Sequence, residues 1–137
     1  MTYAKPLPVP DPESAPFWEG TRRHKLLIQQ CGNCGRNRFP PTTFCSHCRS
    51  DAVRWLEASG RGKVFSWIVV RHPVPKDVYA SDVPYVVAII ELDEGVRIVS
   101  NIVECDPSDV RAETPVRVIF RDVTDSVTLP LFVPASS

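Results

Sequence analysis

Residues 31–48 read Cys-Gly-Asn-Cys-Gly-Arg-Asn-Arg-Phe-Pro-Pro-Thr-Thr-Phe-Cys-Ser-His-Cys, and this stretch decides how the chain is organised. Its two pairs, Cys31 with Cys34 and Cys45 with Cys48, form Cys-x2-Cys-x10-Cys-x2-Cys. Two residues between paired thiolates let the backbone fold into a knuckle whose amides point back at sulfur, and two knuckles complete a tetrahedron suited to zinc. Gly35 suits the positive φ such a knuckle needs. The segment is rich in Pro, Gly, Asn and Thr and has no helical period, so the metal is what holds it folded. Four protein thiolates leave no position for water, and the single zinc ion is expected to be structural. A redox dithiol would need only one such pair beside a βαβ pattern, which is absent. His47 inside the second knuckle is expected to be exposed, and Arg36, Arg38 and Arg49 flank the site.

Upstream, proline at positions 6, 8, 10, 12 and 16 removes backbone donors and favours an extended arm. A short helix is expected over Glu13–Arg23, with Ser14 as N-cap, Pro16 in the first turn, and Phe17 and Trp18 as anchors. These two rings either cover the chain's own core or dock into a partner. Lys25–Gln30 (KLLIQQ) reads as a strand leading into the first knuckle.

Downstream, Ser59-Gly60-Arg61-Gly62 marks a boundary, read as a flexible lead into a barrel strand. Five runs rich in β-branched residues follow: Lys63–Arg71, Tyr85–Leu92, Val96–Val103, Val116–Asp122 and Val127–Phe132. Asp93-Glu94-Gly95 signals a tight hairpin, and the proline-bearing link His72–Pro84 reads as a surface loop. Five short antiparallel strands fit an OB-type Greek-key barrel, although the pattern alone leaves a five-stranded sandwich open. The expected division is an arm and short helix over 1–24, a zinc ribbon over 25–58 and the barrel over 59–137, a mainly β chain.

Sixteen Lys and Arg balance sixteen Asp and Glu, so no broad basic field is present to neutralise phosphates, and no nucleic acid is expected. No apolar run approaches the ~20 residues of a membrane span, and the first residues lack the apolar stretch of a signal peptide, so the expected location is cytoplasmic. No catalytic set is legible. Cys105 lies between Glu104 and Asp106, which raise a thiol's pKa rather than activate it. His24 and His72 have no triad or paired-carboxylate context, and no glycine-rich phosphate loop is present.

Taken together, Pro16-Phe17-Trp18, the knuckles with Phe39-Pro40-Pro41 between them, Trp55, Ser59-Gly60-Arg61-Gly62-Lys63-Val64, Pro84-Tyr85-Val86-Val87-Ala88, Leu92-Asp93-Glu94-Gly95 and Leu129-Pro130-Leu131-Phe132-Val133-Pro134 carry a resemblance over nearly the whole chain. The sequence resembles the thiolase-associated proteins with a rubredoxin-like zinc ribbon and a C-terminal OB-fold, long catalogued as a domain of unknown function. One departure is Ala112-Glu113-Thr114-Pro115, where that family usually has a glycine before the fourth barrel strand. The resemblance implies a non-catalytic accessory subunit of a thiolase-superfamily enzyme, a thiolase, acyltransferase or aldolase acting on acyl-CoA. It implies a ribbon that contacts the partner and a barrel near the CoA channel. Under that reading Arg61, Lys63, Arg71 and Lys76 are the candidate CoA-phosphate cations, and Phe17, Trp18, Phe39 and Phe44 the candidate partner-facing residues. The alternative is a single-stranded nucleic-acid binder stacking bases on Phe65, Trp67 and Tyr85, with the neutral charge against it.

Overall fold

The computed structural model describes residues 3–135. After an irregular arm, helix α1 spans Ala15–Arg22. Ser14 occupies the position before it but makes no capping bond from its side chain. The turn is closed by Asp11 instead, whose carboxylate accepts the Ser14 amide at 2.8 Å while the Ser14 hydroxyl accepts the Asp11 amide at 3.0 Å. Proline at position 12 and the reciprocal bonds fix the approach angle of the chain.

The ribbon is a three-stranded sheet in the order β2-β1-β3, with β1 over Leu27–Cys31, β2 over Asn37–Arg38 and β3 over Val53–Glu57. β3 runs antiparallel to the full length of β1, from Leu27 opposite Glu57 to Cys31 opposite Val53. It is therefore the pairing with β3 that places the first ligand cysteine.

The barrel strands are β4 (Arg61–Val70), β5 (Tyr85–Leu92), β6 (Arg97–Ile102), β7 (Pro115–Asp122) and β8 (Thr128–Pro134), closed in the order β4-β5-β6-β8-β7. This is the five-stranded OB topology, in which the third and fifth strands lie parallel. β5 shows the period of two that a one-sided core demands, with Val86, Ala88, Ile90 and Leu92 buried and the residues between them half-exposed. A bulge between Val64 and Ser66 re-aims β4, which pairs with β7 at its start and with β5 throughout. The β5–β6 hairpin closes at Gly95, φ 88°. The link between β4 and β5 is not loop alone, since it carries one helical turn, α2, over Lys76–Tyr79.

Ser59-Gly60-Arg61-Gly62 is not flexible. Gly60 adopts φ 79° against Val118, and a Cβ on Gly62 would collide with the Glu91 carbonyl oxygen. The glycines are there because β4 passes between β5 and β7 at backbone distance. Glu113, just before β7, itself takes a left-handed φ of 69° without being glycine.

Helix, ribbon and barrel share one core. Phe17 from α1, Leu26, Ile28 and Ala58 from the ribbon, and Val64, Ile90 and Phe132 from the barrel belong to the same buried cluster. Polar ties reinforce it at the β5–β6 hairpin, where the Asn37 amide donates to the Glu94 carbonyl at 3.2 Å and the Glu94 carboxylate accepts the Ser59 amide at 2.9 Å. Among the described residues, no helix is long and apolar enough to cross a membrane.

Candidate metal centre and surrounding surfaces

The four ligand sulfurs converge. Cys31 and Cys45 are buried, Cys48 is half-buried and Cys34 exposed, and all four Sγ atoms lie within 4.8 Å of one another. Cys31 Sγ is 3.5 Å from Cys48 Sγ, and Cys34 Sγ is 3.7 Å from Cys45 Sγ. Zn–S bonds of about 2.3 Å in a tetrahedron require S···S edges of roughly 3.8 Å, which these pairs approach. The chemistry of the donor set also fits. Four sulfurs so close together cannot all ionise unless a cation lies between them.

The two knuckles repeat each other. Gly35 donates its amide to the Cys31 carbonyl at 3.0 Å, and Arg49 to the Cys45 carbonyl at 2.8 Å. Both residues take positive φ, 79° for Gly35 and 65° for Arg49. The second knuckle thus bears in an arginine the strain that a glycine relieves in the first. In the first knuckle the Cys34 and Asn33 amides donate to Cys31 Sγ, each at 3.4 Å, and hold its thiol down at about 6. In the second the amides of Cys48 and His47 lower Cys45 in the same way. Cys34 has the Arg36 amide pulling it down, yet desolvation and the sulfurs of Cys45, Cys31 and Cys48 leave it at about 11. The set fits one structural zinc ion held by Cys31, Cys34, Cys45 and Cys48. Bound there, the ion supplies a cross-link between β1 and the loop ahead of β3. His47 is exposed and contributes through its amide alone.

The candidate partner-facing aromatics divide. Phe17 does not face outward. It is 4% exposed and packs its ring against Trp18 at 5.0 Å and Phe39 at 5.2 Å. Burying this ring is what joins α1 to the ribbon, so the expectation of a partner-facing Phe17 is corrected. Trp18 and Phe39 are half-buried against the same core, whereas Phe44 stands 59% exposed.

The four candidate CoA cations are not one cluster. Arg61 and Lys63 begin β4, while Arg71 follows its end and Lys76 opens α2. The strand from Lys63 to Arg71 separates the two pairs by roughly 25 Å. Lys63 is moreover engaged, with Glu113 at 3.0 Å and Glu91 at 3.9 Å.

Nor do Phe65, Trp67 and Tyr85 form one stacking platform. Trp67 packs against the barrel core, the Arg97 guanidinium lies over the Phe65 ring at 3.7 Å, and Tyr85 stacks on Tyr79. Cys105 is half-buried, and desolvation together with Asp109 and Asp106 pushes its thiol up. That is the opposite of what an attacking thiolate needs. His24 pairs with Asp122 at 3.1 Å and stacks on Phe120.

Comparison with known proteins agrees with this geometry. Residues 18–54 match a family model described as the rubredoxin-like zinc ribbon domain of ChsH2, and residues 55–121 match the ChsH2 C-terminal OB-fold domain. A probable enoyl-CoA hydratase alpha subunit of Thermomonospora curvata is 37% identical over 96% of this chain, which spans only 40% of that protein's length. A DUF35 domain-containing scaffold protein of Methanocaldococcus jannaschii is 41% identical over 75% of this chain and 72% of its own. Among solved structures, a chain described as Ltp2-ChsH2(DUF35) aldolase superposes with a TM-score of 0.87 and 37% identity, covering 95% of this chain and 100% of that one.

Proposed function

Because the chain belongs to the ChsH2 family of zinc-ribbon and OB-fold proteins, we propose that it is a non-catalytic accessory subunit of a thiolase-superfamily enzyme acting on acyl-CoA. The observation that carries this reading is the match, over that chain's whole length, to the chain from the Ltp2-ChsH2(DUF35) aldolase. The scaffold-protein relative supports a role in assembly rather than in chemistry. A Claisen-type or retro-aldol reaction on a thioester needs an activated nucleophile and an acid/base set, and Cys105 is held in the wrong direction for either task.

In this reading the ribbon supplies the protein contact. The zinc fixes the loop between the knuckles, and that rigid loop presents Phe44, an exposed aromatic of the kind that anchors interfaces. The barrel lies near the CoA channel. Arg71 and Lys76 are the cations at hand for CoA phosphates, since they share one end of β4 and Lys63 is committed to Glu113. A reducing cytoplasm suits four ligand thiols that must stay unoxidised.

Co-expression with a thiolase-superfamily subunit from the same organism, followed by size exclusion, tests the assembly. The two proteins elute together, and Phe44→Ala shifts the chain toward the free fraction while its zinc content holds. Separate elution of the two wild-type proteins at micromolar concentration contradicts the reading. The name of the Thermomonospora relative motivates a second reading, a hydratase subunit, which an enoyl-CoA hydration assay on the same fractions distinguishes.

A further inference from the structure

A cavity of about 410 Å³ lies on the outer face of the barrel, away from the ribbon. Leu129 and Leu131 of β8, with Val103 just after β6, form its apolar floor. This is the seam where β6 and β8 share one ladder pair, Ile102 with Phe132. Tyr79 and Asp82 from the β4–β5 link and Val123 from the β7–β8 turn build its walls. The OB fold takes its ligands on the face of its second and third strands, between the loops that join strands one to two and four to five. The cavity borders that face: Tyr85 of β5 and Asn101 of β6 reach it from the second and third strands, and its walls come from the same two loops.

Its roof is the chain's own N-terminal arm. Tyr3, Lys5 and Pro6 cross the cavity, and Lys5 Nζ lies 2.7 Å from the Asp82 carboxylate. With Asp82 neutralised by Lys5, Arg121 remains as a lining cation that no carboxylate pairs among the described residues. Tyr79 and Tyr85 stack beside it at 5.9 Å. The volume falls within the range of about 300–1,000 Å³ typical of small-molecule sites.

We propose that this cavity binds a small apolar acid, a molecule with a hydrocarbon or aromatic body and one anionic group. The body lies on Leu129, Leu131 and Val103, the anion meets the Arg121 guanidinium, and the arm covers both with Lys5–Asp82 as its latch. An extended nucleic acid does not suit the site, because the arm already occupies the path a strand would follow and a single cation faces the ligand.

Isothermal titration of the zinc-loaded full chain with octanoate, and with octan-1-ol as the uncharged control, tests this without any partner protein. The result is therefore independent of the accessory role. Octanoate binds one to one, and octanol binds at least tenfold more weakly. Arg121→Gln brings octanoate to the octanol level, and Lys5→Ala, by releasing the arm, weakens octanoate about fivefold. Both substitutions are at the surface, and an unchanged melting temperature and zinc content show that the fold is intact. Absence of saturable octanoate binding, or equal binding by wild type and Arg121→Gln, overturns the proposal.

Discussion

The Glu113 carboxylate lies 3.0 Å from Lys63 Nζ, across the point where β4 and β7 begin to pair, while the Glu113 backbone sits at φ 69°. The pair is exposed, so its electrostatic contribution is small, on the order of 0–1 kcal/mol. The left-handed backbone costs a non-glycine residue about 1–2 kcal/mol. Glu113→Gly is therefore expected to be more stable than Glu113→Ala by about 1 kcal/mol in urea unfolding. A glycine variant no more stable than the alanine one contradicts this account of the turn.

The ribbon depends on its metal. Cys45→Ser removes a buried ligand from a loop without a core of its own, so zinc falls from one per chain toward zero and the 31–48 loop becomes sensitive to protease. Cys105→Ser leaves the ratio at one. Elemental analysis with limited proteolysis reads both outcomes, and full zinc retention by Cys45→Ser contradicts the four-thiolate site.

Gly62→Ala places a methyl group against the Glu91 carbonyl. The expected loss is about 1–3 kcal/mol, seen as a melting temperature several degrees lower. A neutral result shows that β4 and β5 can separate at this point without cost.

The Asp122 carboxyl is held below the usual carboxylate range by the Thr128 hydroxyl at 2.6 Å and by His24. A depressed pKa means stability that is present above the unfolded value of about 3.9 and is lost as pH falls through the folded one. Asp122→Asn is therefore expected to be less stable than wild type at pH 7, with the difference closing under acid. Urea midpoints at both ends measure it, and a gap that persists unchanged in acid contradicts the assignment.

Much of the architecture is legible in the sequence because it rests on local signals. The spacing of the cysteines marks the site, and β5 falls at Tyr85–Leu92 as expected because its alternation has the full period of a half-buried strand. β3 escapes notice because Val53–Glu57 is mostly exposed and owes its conformation to β1, a partner twenty or more residues away. β2 is two residues long and carries no period at all. Phe17 reads as a candidate contact because a short amphipathic helix looks the same whether its apolar face meets its own domain or another protein. The arm's place over the barrel face is equally invisible, since the Lys5–Asp82 pair joins residues with nothing in sequence to connect them. The cation candidates failed to gather for the same reason, since a strand carries neighbours in sequence to opposite ends of a barrel.

The accessory role stands or falls on turnover. The thiolase-like subunit is assayed for CoA release or thioester cleavage alone, with the zinc-loaded chain, and with the Cys45→Ser chain. Activity is expected to appear, or to rise at least tenfold, only with the zinc-loaded chain. Full activity of the thiolase-like subunit alone, unchanged when the zinc-loaded chain is added, contradicts it.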